Sequence, residues 1–100
     1  MTPEEARDKL EEFRVLVDDV DRRIVALLNE RTRVVENIGR VKRQTQMPIY
    51  EPKREDQVFA NISVSNRGPL TEEAVRRIFE RIIDEMRMIQ RLWMKSDGEQ

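Results

Sequence analysis

The stretch LEEFRVLVDDVDRRIVALLNERTRVVENIGRV, residues 10–41, decides the fold. Its apolar side chains fall at Leu10, Phe13, Val17, Val20, Ile24, Leu27, Val34, Ile38 and Val41, in alternating steps of three and four that draw one stripe along an α-helix. A single position on that stripe is charged, Arg31. Upstream, Thr2-Pro3-Glu4-Glu5 combines an N-cap residue, proline at the first helical position and Glu at the third, the signature of a helix start. No proline follows until Pro48, so a helix is expected over residues 3–43, about 60 Å long at 1.5 Å per residue. A compact domain of this size has a radius of gyration of about 13 Å. Most of the stripe would therefore project beyond the chain's other helices, and an intertwined homodimer is the simplest way to cover it.

Downstream, Gln44 to Tyr50 is polar and contains Pro48, which marks a connection. Glu51-Pro52 restarts a helix, followed by Glu55, Val58 and Ile62 at helical spacing and ending near Ser65. Asn66-Arg67-Gly68-Pro69 is a turn cluster, and Thr71-Glu72-Glu73 caps a third helix with the stripe Val75, Ile78, Phe79, Ile82, Met86, Ile89 and Trp93. The expected architecture is all-α, three helices in the order long, short, long, with one domain over residues 1–94 and a frayed, disordered tail over 95–100. No strand signal, repeat or low-complexity tract competes with it.

Composition removes most other chemistries. The 19 basic and 20 acidic residues leave a net charge of −1, so no global field favours nucleic acid or an anionic membrane. Without Cys or His, the chain has no thiol nucleophile, no zinc-thiolate site and neither the usual general base nor the commonest metal ligand. It shows no apolar leader and no segment approaching the roughly 20 apolar residues of a membrane span, so a cytoplasmic location is expected.

What remains is a set of polar residues bordering the stripes. Arg31 on the seam would cost several kcal/mol if desolvated without partners, so it meets an anion, forms a buried structural ion pair, or extends to water. Lys42, eleven residues on, lies within about 20° of the same face and about 16 Å further along. Gly39, one turn before it, allows either a close helix contact or room for a ligand. Arg14 shares the heptad column of Lys42 but lies about 42 Å away on a straight helix, farther than a metabolite reaches. The two can serve one ligand only from different subunits; alone, Arg14 would pair locally with Asp18. Glu51, Arg54 and Glu55 share a face of the second helix, as a site or as a local salt network. Gln90 sits one heptad after Ile83 on the apolar flank, where a buried amide needs partners.

These positions together resemble the small all-helical chorismate mutase family. The match runs from Arg14 through Asp21-Arg22-Arg23-Ile24-Val25-Ala26-Leu27-Leu28, Glu30-Arg31, Ile38-Gly39-Arg40-Val41-Lys42, Pro48, Glu51, Arg54-Glu55, Ile78-Phe79, Ile82-Ile83 and Gln90, nearly the whole chain. The resemblance implies two entwined chains, two equivalent active sites that each take Arg14 from the partner, and conversion of chorismate to prephenate with no cofactor or metal. It implies that Arg14 and Arg31 bind substrate carboxylates, with Arg54 supporting them. Lys42 and Gln90 donate to the ether oxygen, Glu55 accepts from the ring hydroxyl and positions Lys42, and Glu51, where the family often has Asp, makes a substrate hydroxyl contact. Met86 departs from relatives that carry a Ser donor there. The same resemblance admits association with another enzyme of aromatic amino-acid synthesis. Two alternatives share the architecture: an isochorismate pyruvate lyase, and a non-catalytic helical dimerisation or regulatory module.

Overall fold

The computed structural model describes the backbone of residues 1–98 and the side chains of residues 1–92. Three helices follow in order: α1, Pro3–Thr45; α2, Pro52–Ser65; and α3, Glu72–Gly98. No strand occurs among the described residues. The chain divides into two compact units, Met1–Arg33 and Val34–Gln100, with the boundary inside α1.

The first unit is the N-terminal part of α1. Thr2 caps it as the sequence requires, its Oγ1 accepting from the Glu5 amide at 3.1 Å, which satisfies one of the donors a helix start leaves unpaired. Along this helix the apolar stripe is open: Leu10, Phe13, Val17, Val20, Ile24 and Leu27 are all exposed, Phe13 by 60% and Leu27 by 62%. Charged residues on the other faces pair along the helix, as Arg23 does with Asp19 at 3.2 Å.

The second unit joins the C-terminal part of α1 to a hairpin of α2 and α3. α1 ends two residues later than expected, at Thr45, and its closure has an identifiable geometry. The Met47 amide donates to the Lys42 carbonyl at 2.8 Å and the Gln46 amide to the Arg43 carbonyl at 3.4 Å. Gln46 between them is left-handed, with φ 57°. This is the Schellman arrangement, with glutamine at the position that glycine usually fills.

α2 begins at Pro52, whose missing N–H costs nothing at that position. The turn at residues 66–69 forms around Asn66, whose Oδ1 accepts from the Gly68 amide at 3.0 Å and whose Nδ2 donates to the Leu70 carbonyl at 2.9 Å. Gly68 takes φ 74°, where a side chain would be strained. Thr71 then caps α3, accepting from the Ala74 amide at 3.1 Å. Across the hairpin, Ser63 donates to Glu72 at 2.8 Å and the Arg76 guanidinium lies 4.2 Å from the Phe59 ring centre.

The buried column of α3 differs from the expected stripe. Ile83, Met86 and Gln90 are buried, while Ile78 is exposed and Ile82 and Ile89 are half-buried. The inward face is thus rotated toward the flank that carries Gln90, because Gln90 reaches the backbone of α1. Trp93, expected on the stripe, lies outside the described side chains. The tail expected from residue 95 is helical to Gly98, and residues 99 and 100 lie outside the described residues. Among the described residues no helix is long and apolar enough to cross a membrane.

A non-glycine residue in the left-handed region carries a conformational cost that glycine does not. Gln46→Gly is therefore expected to raise stability by about 1 kcal/mol, read as a higher urea midpoint at unchanged slope and fixed protein concentration.

Candidate active site

The end of α1 is folded around one residue. Lys42 closes the helix with its carbonyl, and its side chain, only 12% exposed, turns onto the following connection. Its Nζ donates to the Ile49 carbonyl at 3.1 Å and lies 3.2 Å from Glu51 Oε1. An ammonium has three donors, so two fixed contacts leave a third proton that can point at a ligand. Glu51 occupies the N-cap position of α2 but makes no side-chain capping bond; its carboxylate serves Lys42 instead.

Gln90 approaches the same part of α1 from α3. It is 7% exposed, and its Nε2 donates to the Val35 carbonyl at 3.3 Å. Val35 precedes Lys42 by one heptad, so Gln90 is anchored on the face of α1 that carries Lys42, about 10 Å before it along the axis. Gly39, between Val35 and Lys42, is buried.

The third element is a charge pair between α2 and α3. Arg87 Nε stands 3.5 Å from Glu55 Oε2, with both side chains about three-quarters buried. Arg87 Nη2 donates to Asp84 at 2.8 Å, and the guanidinium lies 5.3 Å from the centre of the Tyr50 ring. Nε itself is buried without a hydrogen-bond partner, so its approach to Glu55 is Coulombic. Such an unmatched donor costs about 1–3 kcal/mol.

The sequence candidates divide accordingly. Lys42, Glu51, Glu55 and Gln90 all stand at the junction of α1, the connection, α2 and α3. Arg54, on the same helix as Glu55, is exposed and donates to Gln57 at 3.3 Å. In the first unit Arg31 is half-buried and engaged by interactions of its own. Arg14 is exposed, and its neighbour at 3.9 Å is Glu11, one turn before it, where the sequence suggested Asp18. Met86 is buried on α3. Arg87 and Tyr50 were not singled out from the sequence; the available signal was a basic residue one turn before Gln90, beside the buried flank. The apolar cleft of about 280 Å³ lined by Ile62, Leu70, Val75, Ile78 and Phe79 lies at the opposite end of α2 from this cluster.

The arrangement offers cationic and amide donors held on backbone carbonyls, with carboxylates matched to cations. It suits the binding of a small polyanion and stabilisation of developing negative charge. Residues 13–91 match the family model for chorismate mutase type II. The chain belongs to that family. It is 37% identical over 82 residues to a bifunctional chorismate mutase/prephenate dehydratase of Pseudomonas aeruginosa, covering 77% of this chain and 22% of that protein. A 4-amino-4-deoxychorismate mutase of Streptomyces pristinaespiralis is 29% identical over 98 residues, 96% of this chain and 75% of that one. Among solved structures, chorismate mutase from Thermus thermophilus (form II) aligns with a TM-score of 0.81 and 35% identity, covering 83% of this chain and 94% of that one. The chain spans about a fifth of the length of the bifunctional relatives.

Proposed function

We propose that this chain is a chorismate mutase, converting chorismate to prephenate in aromatic amino-acid synthesis, as a homodimer with shared active sites. The observation that carries the reading is the pair of donors, Lys42 and Gln90, each held on a main-chain carbonyl, with the Val35 anchor of Gln90 one heptad before Lys42 on α1. The rearrangement breaks the bond from ring carbon to ether oxygen while a carbon–carbon bond forms between the enolpyruvyl methylene and the ring. No proton leaves and no nucleophile adds. What accelerates it is restriction of the substrate to its compact conformer and fixed positive potential at the ether oxygen, where negative charge grows. Lys42 supplies a charged donor there and Gln90 a neutral one. Glu55 accepts from the ring hydroxyl, with Glu51 beside it. Arg31 and the partner's Arg14 hold the carboxylates, with Arg54 in support.

The dimer is supported by the first unit. Leu10, Phe13, Val17, Val20, Ile24 and Leu27 form an exposed apolar stripe along a helix. Full burial of one such side chain contributes about 1.5–3 kcal/mol, so covering the stripe with a second copy is a large driving force. Several relatives carry the mutase fused to a prephenate dehydratase, which supports association with another enzyme of the same pathway.

Purified protein should consume chorismate, seen as loss of its ultraviolet absorbance with formation of prephenate; an inert, folded protein refutes the proposal. Gln90→Glu gives a pH signature. Only the protonated acid can donate to the ether oxygen, and the carboxylate repels the charge forming there, while an ordinary Glu has a pKa of about 4.3. The variant should lose about a hundredfold or more at pH 8 and recover steadily toward pH 5. Shared sites are tested by mixing Arg14→Ala and Lys42→Ala chains, each inactive alone. After subunit exchange the heterodimers hold one site with neither lesion, so about a quarter of wild-type activity should return. No recovery with exchange verified rules out sharing.

A further inference from the structure

Arg87 is employed neither by the sequence candidates nor by the mechanism above, and three groups stand around its guanidinium. Asp84, on the same helix, takes Nη2 at 2.8 Å; the Tyr50 ring covers one face at 5.3 Å; Nε lies 3.5 Å from Glu55 Oε2 without a hydrogen bond. Asp84 is the exposed member, with a side-chain exposure of 57%, so it tethers the group from the solvent side. Swinging Arg87 away would break the tether, uncover the ring and leave Glu55 without its cation. A lysine ammonium, a point charge without a plane, satisfies only part of this arrangement.

The contact changes what Glu55 can recognise. Lys42 is matched to Glu51 and Arg87 to Glu55, so the two carboxylates at the junction each already face a cation. A carboxylate in that state still accepts a hydrogen bond from a hydroxyl through its remaining lone pairs. Toward a cationic group its attraction is opposed by the neighbouring guanidinium, which repels the same charge over a similar distance in a partly desolvated setting. We propose that Arg87 is a positioning residue that fixes Glu55 and makes the site select a hydroxyl over an ammonium on the substrate ring, an inference that rests on the chorismate mutase reading.

The test compares chorismate with its 4-amino-4-deoxy analogue, measuring kcat and KM for each with wild type, Arg87→Met, Arg87→Gln, Arg87→Lys, Glu55→Gln and the Arg87→Met/Glu55→Gln double variant, alongside melting temperature. Arg87→Met should lower kcat/KM for chorismate about tenfold, chiefly through kcat, and raise the ratio of analogue to chorismate about tenfold. Arg87→Gln carries the same expectation should Met impair folding. Arg87→Lys should keep the wild-type ratio while losing turnover, because it retains the charge and loses the orientation. In the Glu55→Gln background, Arg87→Met should still raise the ratio, by removing the direct repulsion, but should no longer lower turnover of chorismate, since the carboxylate it positions is gone. An unchanged ratio in the Met or Gln variant overturns the assignment, as does an equal loss of chorismate turnover with and without the Glu55 carboxylate. Wild-type protein that turns over neither compound refutes the mutase reading as well, whereas an active wild type with an unmoved ratio refutes only the role of Arg87.

Discussion

Lys42 ties the second unit together at a point where three requirements meet. Its side chain is largely buried, and its two polar contacts offset the cost of desolvating the charge. Its carbonyl takes the Met47 amide that ends α1, and its side chain takes the Ile49 carbonyl and the Glu51 carboxylate that begin the approach to α2. The path of the connection is thus dictated from both ends of one residue. Once Glu51 is placed, Glu55 follows one turn later, with its amide bonded to the Glu51 carbonyl at 3.0 Å. Glu55 is in turn paired with Arg87, which links α2 to α3.

Much of this was legible in the residues themselves. Thr2-Pro3 and Thr71-Glu72 mark two helix starts because capping is local chemistry, Pro52 marks the third because its ring fits the first helical position, and Asn66-Gly68 marks the turn by side-chain bonding to its own backbone. The end of α1 was harder. No glycine stands there, and periodicity does not encode the left-handed backbone of Gln46 that closes the helix. The rotation of α3 toward Ile83, Met86 and Gln90 was hidden because a glutamine in the buried column lowers the apparent hydrophobicity of the very face that packs inward.

Arg87 escaped notice for a related reason. An arginine on a charged helix resembles its many solvated neighbours, such as Arg76 beside Glu80 or Arg81 beside Glu85, until a second helix is known to bring a carboxylate to it. Arg14 is the converse case: the role proposed for it is specific, but its surroundings in a single chain amount to an exposed pairing with Glu11. Such surface pairs contribute at most a few tenths of a kcal/mol, so this one leaves the guanidinium easily recruited by another partner.

The two donors of the second unit rest on main-chain carbonyls, Ile49 for Lys42 and Val35 for Gln90. A carbonyl oxygen is supplied by every amino acid. Substitution at position 35 or 49 alters volume and packing but cannot delete the acceptor, so the aim of the donors is insulated from sequence drift at the residues that hold them. Vulnerability concentrates instead in the backbone path itself, where a one-residue insertion between positions 42 and 51 would leave every named side chain in place and still misdirect Lys42.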